Sequence, residues 1–169
     1  MSDLDVIIRG GIRTAVPREY AGKIIQIFPP TFDATQKSTS TSFPQDDTIP
    51  QSGEGTAYSE LDTTVTPKFA SSRLRVEVRL AGFSASALRG QMALFRDSGA
   101  NALATVDEYC FQNSITMTLD YEVVAGSTAA TTFKIRFGRS SGTFYLNDFT
   151  TALYGGTVRS SMVITEIAG

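Results

Sequence analysis

Residues 73–80 read RLRVEVRL, an unbroken alternation of charged and apolar side chains. Leu74, Val76, Val78 and Leu80 share one parity, whereas the arginines and Glu77 share the other. Successive side chains of a strand point to opposite faces, so this period is typical of an antiparallel strand with one buried and one solvated face. The stretch therefore predicts a strand in a sheet that covers a hydrophobic core.

Other parts of the chain repeat this alternation between turn-forming residues. The strands predicted in this way lie at residues 24–28, 56–65, 90–96, 102–111, 115–125, 131–138, 143–146 and 160–167. With the N-terminal segments the total is about nine to eleven strands, which favours two packed sheets. The predicted fold class is all-β, an antiparallel β-sandwich of jelly-roll type with a short N-terminal arm. The residues predicted to form the core are Leu74, Val76, Val78, Met117, Leu119, Phe133, Ile135 and Ile164.

Composition limits the possible functions. The 169 residues suffice for one well-formed core and carry a net charge of -2. This charge provides no basic field for nucleic acid and no polybasic signal for a membrane surface. No apolar stretch approaches the length of a membrane span, and the N-terminus lacks the features of a signal peptide. We therefore expect neither nucleic-acid binding nor membrane insertion, and synthesis in a reducing cytoplasm.

Residue types that commonly support catalysis are scarce. The chain has no histidine, which removes the usual general base and the commonest metal ligand. Its single cysteine, Cys110, cannot form an internal disulfide and is expected to be a small core residue. No glycine-rich phosphate loop is present. We expect no catalytic residues, no metal site and no cofactor.

The first 45 residues are predicted to differ from the rest. Residues 1–30 contain two short apolar strands, at 4–9 and 24–28, and form either an attachment arm or the first strands of the sandwich. Residues 31–45 are rich in Ser and Thr, which suits either a flexible connector or an edge strand. Residues 46–169 are predicted to form the jelly-roll domain.

One acidic cluster lies in a segment that is dense in turn formers. The segment contains Asp46, Asp47, Pro50 and Glu54, and a glycine lies on each side of Glu54. This density of turn formers favours an ordered structural loop. The same carboxylates would suit calcium or a glycosidase pair. Turn formation explains them more simply, and the chain lacks the tryptophans that sugar-cleaving sites often use.

Two further groups of residues are candidates for contacts. Arg73, Arg75 and Arg79 share one strand face, which suits a solvated face or salt bridges across a subunit boundary. Tyr154, beside two glycines, is a candidate for an exposed surface contact. The aromatic residues within strands are expected to lie mostly in the core; they are Phe95, Tyr109, Phe111, Tyr121, Phe133, Phe137, Phe144 and Tyr145.

Three stretches together resemble a module of tailed-bacteriophage virion proteins, chiefly tail fibres and receptor-binding tips. They are DDTIPQ and GEG at residues 46–55, TPK and ASSRLRVEV at residues 66–78, and GGT and SSMVITEI at residues 155–167. The resemblance implies a jelly roll similar to that of tumour necrosis factor, assembled as a homotrimer. It also implies a place in the virion and contact with a bacterial surface glycan or protein.

The resemblance leads to one main functional hypothesis and two alternatives. The main one is a non-enzymatic receptor-binding knob on a tail fibre or baseplate, joined to tail, baseplate or capsid proteins through residues 1–30. The first alternative is a capsid decoration protein or head fibre. The second is a polysaccharide-degrading, tailspike-like domain that uses Asp46, Asp47 or Glu54, which the absence of His and Trp disfavours.

Overall fold

The computed structural model describes residues 21–112, 114–148 and 153–169. These residues form antiparallel strands and two short 3-10 segments, Ser59–Leu61 and Leu153–Gly156. The strands are β1 (Ile24–Ile27), β2 (Thr31–Asp33), β3 (Lys37–Thr39), β4 (Thr56–Ala57), β5 (Thr63–Val65), β6 (Arg73–Phe83), β7 (Leu88–Arg96), β8 (Ala104–Cys110), β9 (Ser114–Val124), β10 (Thr131–Arg139), β11 (Phe144–Leu146) and β12 (Ser160–Ile167).

The strands form two sheets. In the first sheet, the main strand order is β1, β12, β6 and β9, and β2 follows β1 along the same edge of β12. Strand β11 pairs with the end of β6, and β3 pairs with β11. In the second sheet, β4 and β5 lie along β10, which pairs with β7, which pairs with β8. The chain crosses between the sheets after β3, β5, β6, β8, β9 and β10. This strand order is that of a jelly roll, which confirms the predicted fold class.

The core fills the space between the two sheets. All eight residues predicted to form it are buried, each less than one-twentieth exposed. Cys110 is also fully buried and joins the same cluster. The parity of β6 was predicted correctly because its inward residues pair with inward residues of β9 and β12, for example Val76 with Tyr121 and Ile164.

One predicted strand is interrupted. Residues 56–65 form β4, a 3-10 turn and β5 instead of one continuous strand. Tyr58 and Leu61 are both fully buried, although they lie three positions apart. In a continuous strand their side chains would point to opposite faces, whereas one 3-10 turn brings positions i and i+3 onto the same side. The turn therefore allows both side chains to enter the core.

Part of the N-terminal region belongs to the first sheet. Ile24 pairs with Ile167 and Ile27 with Thr165, and β2 continues along the same edge of β12. Residues 24–33 therefore contribute β1 and β2 to the first sheet, and the choice between arm and first strands for residues 1–30 stays open. Residues 1–20, with the predicted strand at 4–9, lie outside the described residues, so attachment through the arm stays a prediction.

A segment of the chain covers the outer face of the second sheet. Phe43 is buried there beside Ala93 and Phe95, and its N–H donates to the side-chain oxygen of Gln91 at 3.0 Å. A side chain at Gly138 would approach its ring to 3.1 Å, so the absence of one lets the ring lie close to the sheet. Residues 31–45 thus contain two strands and a covering segment.

Candidate functional surfaces

The predicted arginine face lies on the outer side of the first sheet. Arg73 donates to Glu122 at 3.0 Å, and Arg75 forms an ion pair with Asp120 and donates to it through Nε at 3.1 Å. These partners belong to the same chain, on the adjacent strand β9. Ion pairs this exposed to solvent contribute little to stability. Among the described residues, Arg79 forms no salt bridge.

The same face carries large apolar side chains, and we call it the first-sheet face. Ile24 and Ile27 are each 61% exposed and Val124 is 55% exposed. A register shift in β1 allows Ile24 and Ile27, three positions apart, to pair with outward residues of β12. One row of register partners crosses β1, β12, β6 and β9: Ile24, Ile167, Arg73 and Val124. The first-sheet face therefore combines ion-paired arginines with exposed apolar side chains.

Phe32 extends the first-sheet face along β2. Its register partner is Ser161, which is itself paired with Arg79, so all three lie on the outer side. The ring is 47% exposed, and the guanidinium carbon of Arg159 lies 4.2 Å from its centroid. A cation over an aromatic ring is a favourable contact even at an exposed site.

The predicted acidic loop is held by internal hydrogen bonds. The hydrogen bond from the Thr48 hydroxyl to the carboxylate of Asp46 lowers the pKa of Asp46, and the bond from the Thr48 backbone N–H at 2.9 Å lowers it further. The carboxylate of Glu54 accepts from the N–H of Gln51 at 2.8 Å. These are turn-stabilising bonds of the kind that Asp and Glu make without a ligand.

The rest of the loop is fastened to the second sheet. The guanidinium of Arg136 donates to the carbonyls of Glu54, at 2.5 Å, and Gly55, at 2.9 Å. The N–H of Ala102 donates to the carbonyl of Pro50 at 2.9 Å. Asp47 lies exposed in the same loop. The described residues contain no group of three or more Cys, Asp or Glu side chains that could hold a metal ion.

A cleft of about 200 Å³ opens beside this loop, lined by Asp62, Asp97 and Lys134 among others. Burial raises the pKa of Asp62, although Lys134 opposes the change. Burial would also raise the pKa of Asp97, but bonds from the Thr132 N–H at 2.7 Å and the Thr131 hydroxyl at 2.8 Å outweigh it and lower that pKa. The carboxylate of Asp97 therefore ties the turn after β7 to the start of β10.

Buried polar groups join distant parts of the chain. The carboxylate of Glu166 is fully buried and accepts from the backbone N–H groups of Lys68, at 2.9 Å, and Phe69, at 3.1 Å. Asn147 donates to the hydroxyl of Tyr58 at 2.7 Å, and burial raises the pKa of that tyrosine. Sequence parity could have placed Glu166 inward, beside Ile164, but an acidic residue there has no obvious partner in the sequence.

Two aromatic residues predicted to be in the core are exposed instead. Tyr109 is 55% exposed and Phe111 is 69% exposed, at the end of the edge strand β8. Their parity is opposite to that of the buried Cys110, so they lie on the outer face of the second sheet. Phe95 lies on that same face but is buried by Phe43. Tyr154, the predicted contact residue, is 81% exposed; its role stays a prediction.

No described helix is long and apolar enough to cross a membrane. No protein-family model matches the chain, and no curated protein matches it.

Several solved structures show partial structural similarity to the chain. A structure of infectious bursal disease virus Gx strain is 11% identical, with a TM-score of 0.41, and the match covers 84% of this chain and 37% of that one. The VP2 subviral particle of infectious bursal disease virus is 14% identical, with a TM-score of 0.37, over 85% of this chain and 37% of that one. Dimeric latent PorU from Porphyromonas gingivalis is 12% identical, with a TM-score of 0.35, over 92% of this chain and 14% of that one.

The chain thus spans little more than a third of the length of the viral structures that it matches. At these identities and TM-scores the likeness carries no argument about function. The functional argument therefore depends on the surfaces of the chain itself and on the sequence resemblance.

Proposed function

We propose that this chain is a virion structural protein that assembles as a homotrimer and acts as a host-receptor-binding knob on a tail fibre or baseplate. The observation that carries the proposal is the first-sheet face of the jelly roll. Ile24, Ile27 and Val124 remain more than half exposed there, among the described residues. Exposed apolar side chains that are bordered by polar groups commonly mark protein interfaces.

The mixed character of this face suits contact between copies of the same chain. Arg73 and Arg75 lie beside Glu122 and Asp120, so the surface carries both signs of charge next to apolar side chains. A surface of this kind can meet another copy without net repulsion. Assembly would also cover the free edges of the first sheet, which are otherwise templates for unwanted strand pairing.

The sequence resemblance also supports the proposal, and two of the three stretches that carry it are neighbours in the fold. Lys68 and Phe69, from the second stretch, donate to Glu166, from the third. Strands β6 and β12, from the same two stretches, pair along residues 73–79 and 161–167.

Self-association is tested with the purified chain by light scattering and sedimentation. We expect a trimer mass at micromolar concentration, and dissociation in the Ile24→Lys, Ile27→Lys double variant. Ile49→Lys is the matched control, because Ile49 is 54% exposed in the acidic loop, away from the first-sheet face. A monomer mass for the parent chain would contradict the trimer.

Location is tested on the particle. An antibody against the chain, with gold labelling and electron microscopy, should mark the tail tip or baseplate. Labelling on the head would instead support capsid decoration, and unlabelled particles would refute a virion role. Incubating the chain with a capsular polysaccharide and measuring released reducing ends tests the enzymatic alternative, with Asp46→Asn as its control.

A further inference from the structure

The exposed aromatic pair at the end of β8, Tyr109 in the strand and Phe111 directly after it, forms a continuous apolar surface. The ring centroids of Tyr109 and Phe111 lie 6.4 Å apart, and the ring planes are inclined by 33°. Positions i and i+2 of a strand are separated by about 6–7 Å along one face, so the rings lie side by side. Exposing two large aromatic side chains together is costly in water, and aromatic residues dominate the energetics of binding sites.

Hydrogen-bonding side chains border this pair and are already held in position. The guanidinium of Arg89 donates to Asp107 at 2.9 Å, and the amide of Gln45 donates to the other oxygen of Asp107 at 2.9 Å. Arg89 also lies 6.0 Å from the centroid of the Tyr109 ring. These groups lie on the same outer face, because Arg89 is the register partner of Tyr109. We call Tyr109, Phe111, Arg89 and Asp107 the aromatic platform.

We propose that the aromatic platform binds a neutral pyranose unit of a saccharide. A pyranose has an apolar face of C–H groups and an edge of hydroxyl groups, and the platform presents aromatic rings beside fixed donors and acceptors. The rings would contact the C–H face, and the side chains of Arg89 and Asp107 would bond neighbouring hydroxyls. The inference deepens the proposed function and rests on it for the biological source of the saccharide.

Local charge favours a neutral saccharide over an acidic one. Arg89 and Asp107 form an ion pair and largely cancel each other. The platform thus offers an anionic sugar no free cation to compensate its charge.

Binding is measured with the isolated chain by two-dimensional amide NMR. The probes are methyl glucoside, methyl galactoside, methyl mannoside and N-acetylglucosamine, each titrated to tens of millimolar. We expect at least one probe to shift the amide signals of Tyr109, Phe111 and their neighbours on β7. Tyr109→Ala and Phe111→Ala should each weaken that binding about tenfold or more. Ile49→Ala is the control, since it removes a large apolar side chain that is 54% exposed in the acidic loop, outside the platform.

Each outcome has a defined meaning. Four probes without a localised shift, or platform variants that bind like the parent, would overturn the inference. A change of oligomer mass in the platform variants would also overturn it, because the surface would then be an interface between copies. If particles carry the protein while the platform binds no sugar, the virion role stands and the platform inference fails. If the platform binds sugar while no particle carries the protein, the reverse holds.

Discussion

Replacing Glu166 tests whether its buried carboxylate holds together three segments of the chain, namely β12, β1 and the loop before β6. Its side chain is fully buried, on the inner side of β12. Its oxygens accept from the backbone N–H groups of Lys68, at 2.9 and 3.0 Å, and Phe69, at 3.1 Å, and from the side-chain amide of Gln26 at 2.7 Å. These donors come from β1 and from the loop before β6, so one side chain connects three segments.

The size of the effect follows from the donors that lose their acceptor. Glu166→Ala would leave two backbone N–H groups without a partner, at about 1–3 kcal/mol each, for a total of about 2–6 kcal/mol. The amide of Gln26 would be less affected, since it also donates to the carbonyl of Thr66 at 3.1 Å. Glu166→Gln keeps one acceptor oxygen and loses the charge, so it should cost about 1–2 kcal/mol.

Urea unfolding followed by far-ultraviolet circular dichroism measures these losses, at one protein concentration because assembly shifts apparent stability. Glu77→Ala and Glu77→Gln are the matched controls. Glu77 also lies in the first sheet, but its side chain is 47% exposed, so each change should cost less than about 0.5 kcal/mol. If Glu166→Ala lost no more stability than Glu77→Ala, the carboxylate would not be a structural link.

Three further changes address the packing of the sandwich. Gly82→Ala should destabilise the fold measurably in thermal unfolding, because a Cβ there would overlap the buried ring of Phe144, whereas Gly53→Ala meets no atom within 4 Å and should be nearly neutral. Asp97→Asn should lower stability at neutral pH. The pKa of Asp97 is lower in the folded state than the ordinary value of 3.8. The ionised carboxylate therefore gives its full stabilisation above pH 3.8 and loses it as the pH falls through the folded-state pKa. The urea unfolding curves of parent and variant should then converge in acid. Val76→Asp should abolish soluble expression, since it buries an unpaired charge; a soluble variant that melted like the parent would contradict the predicted parity.

Local alternation predicted the first sheet well for a physical reason. The central strand β6 has paired neighbours on both sides, and one of its faces lies against the core. Under those conditions the inward positions must be apolar, so the sequence records the burial directly. Leu74 and Val78 are examples, since both are buried and both were predicted from parity alone.

The second sheet shows where this reasoning ends. Phe95 and Tyr109 both point to its outer face, yet Phe95 is buried and Tyr109 is exposed. The difference depends on Phe43, which lies some fifty residues earlier than Phe95 in the chain and covers only the central strands. Such coverage is set by the path of a loop in space, and alternation within a strand holds no information about it. The aromatic platform was therefore not predictable from sequence.

The two outer faces of the sandwich are covered to different extents by other parts of the chain. This difference allows the two proposed surfaces to act at the same time. Residues near Phe43 cover the middle of the second sheet, whereas Ile24 and Ile27 on the first-sheet face stay exposed among the described residues. Contacts between copies would use the first sheet, while the platform of Tyr109 and Phe111 lies on the outer face of the second sheet. Assembly through one sheet would then leave the other open to a ligand. Several platforms on one trimer would raise the avidity of individually weak saccharide contacts, which is the physical advantage of combining these surfaces in one small module.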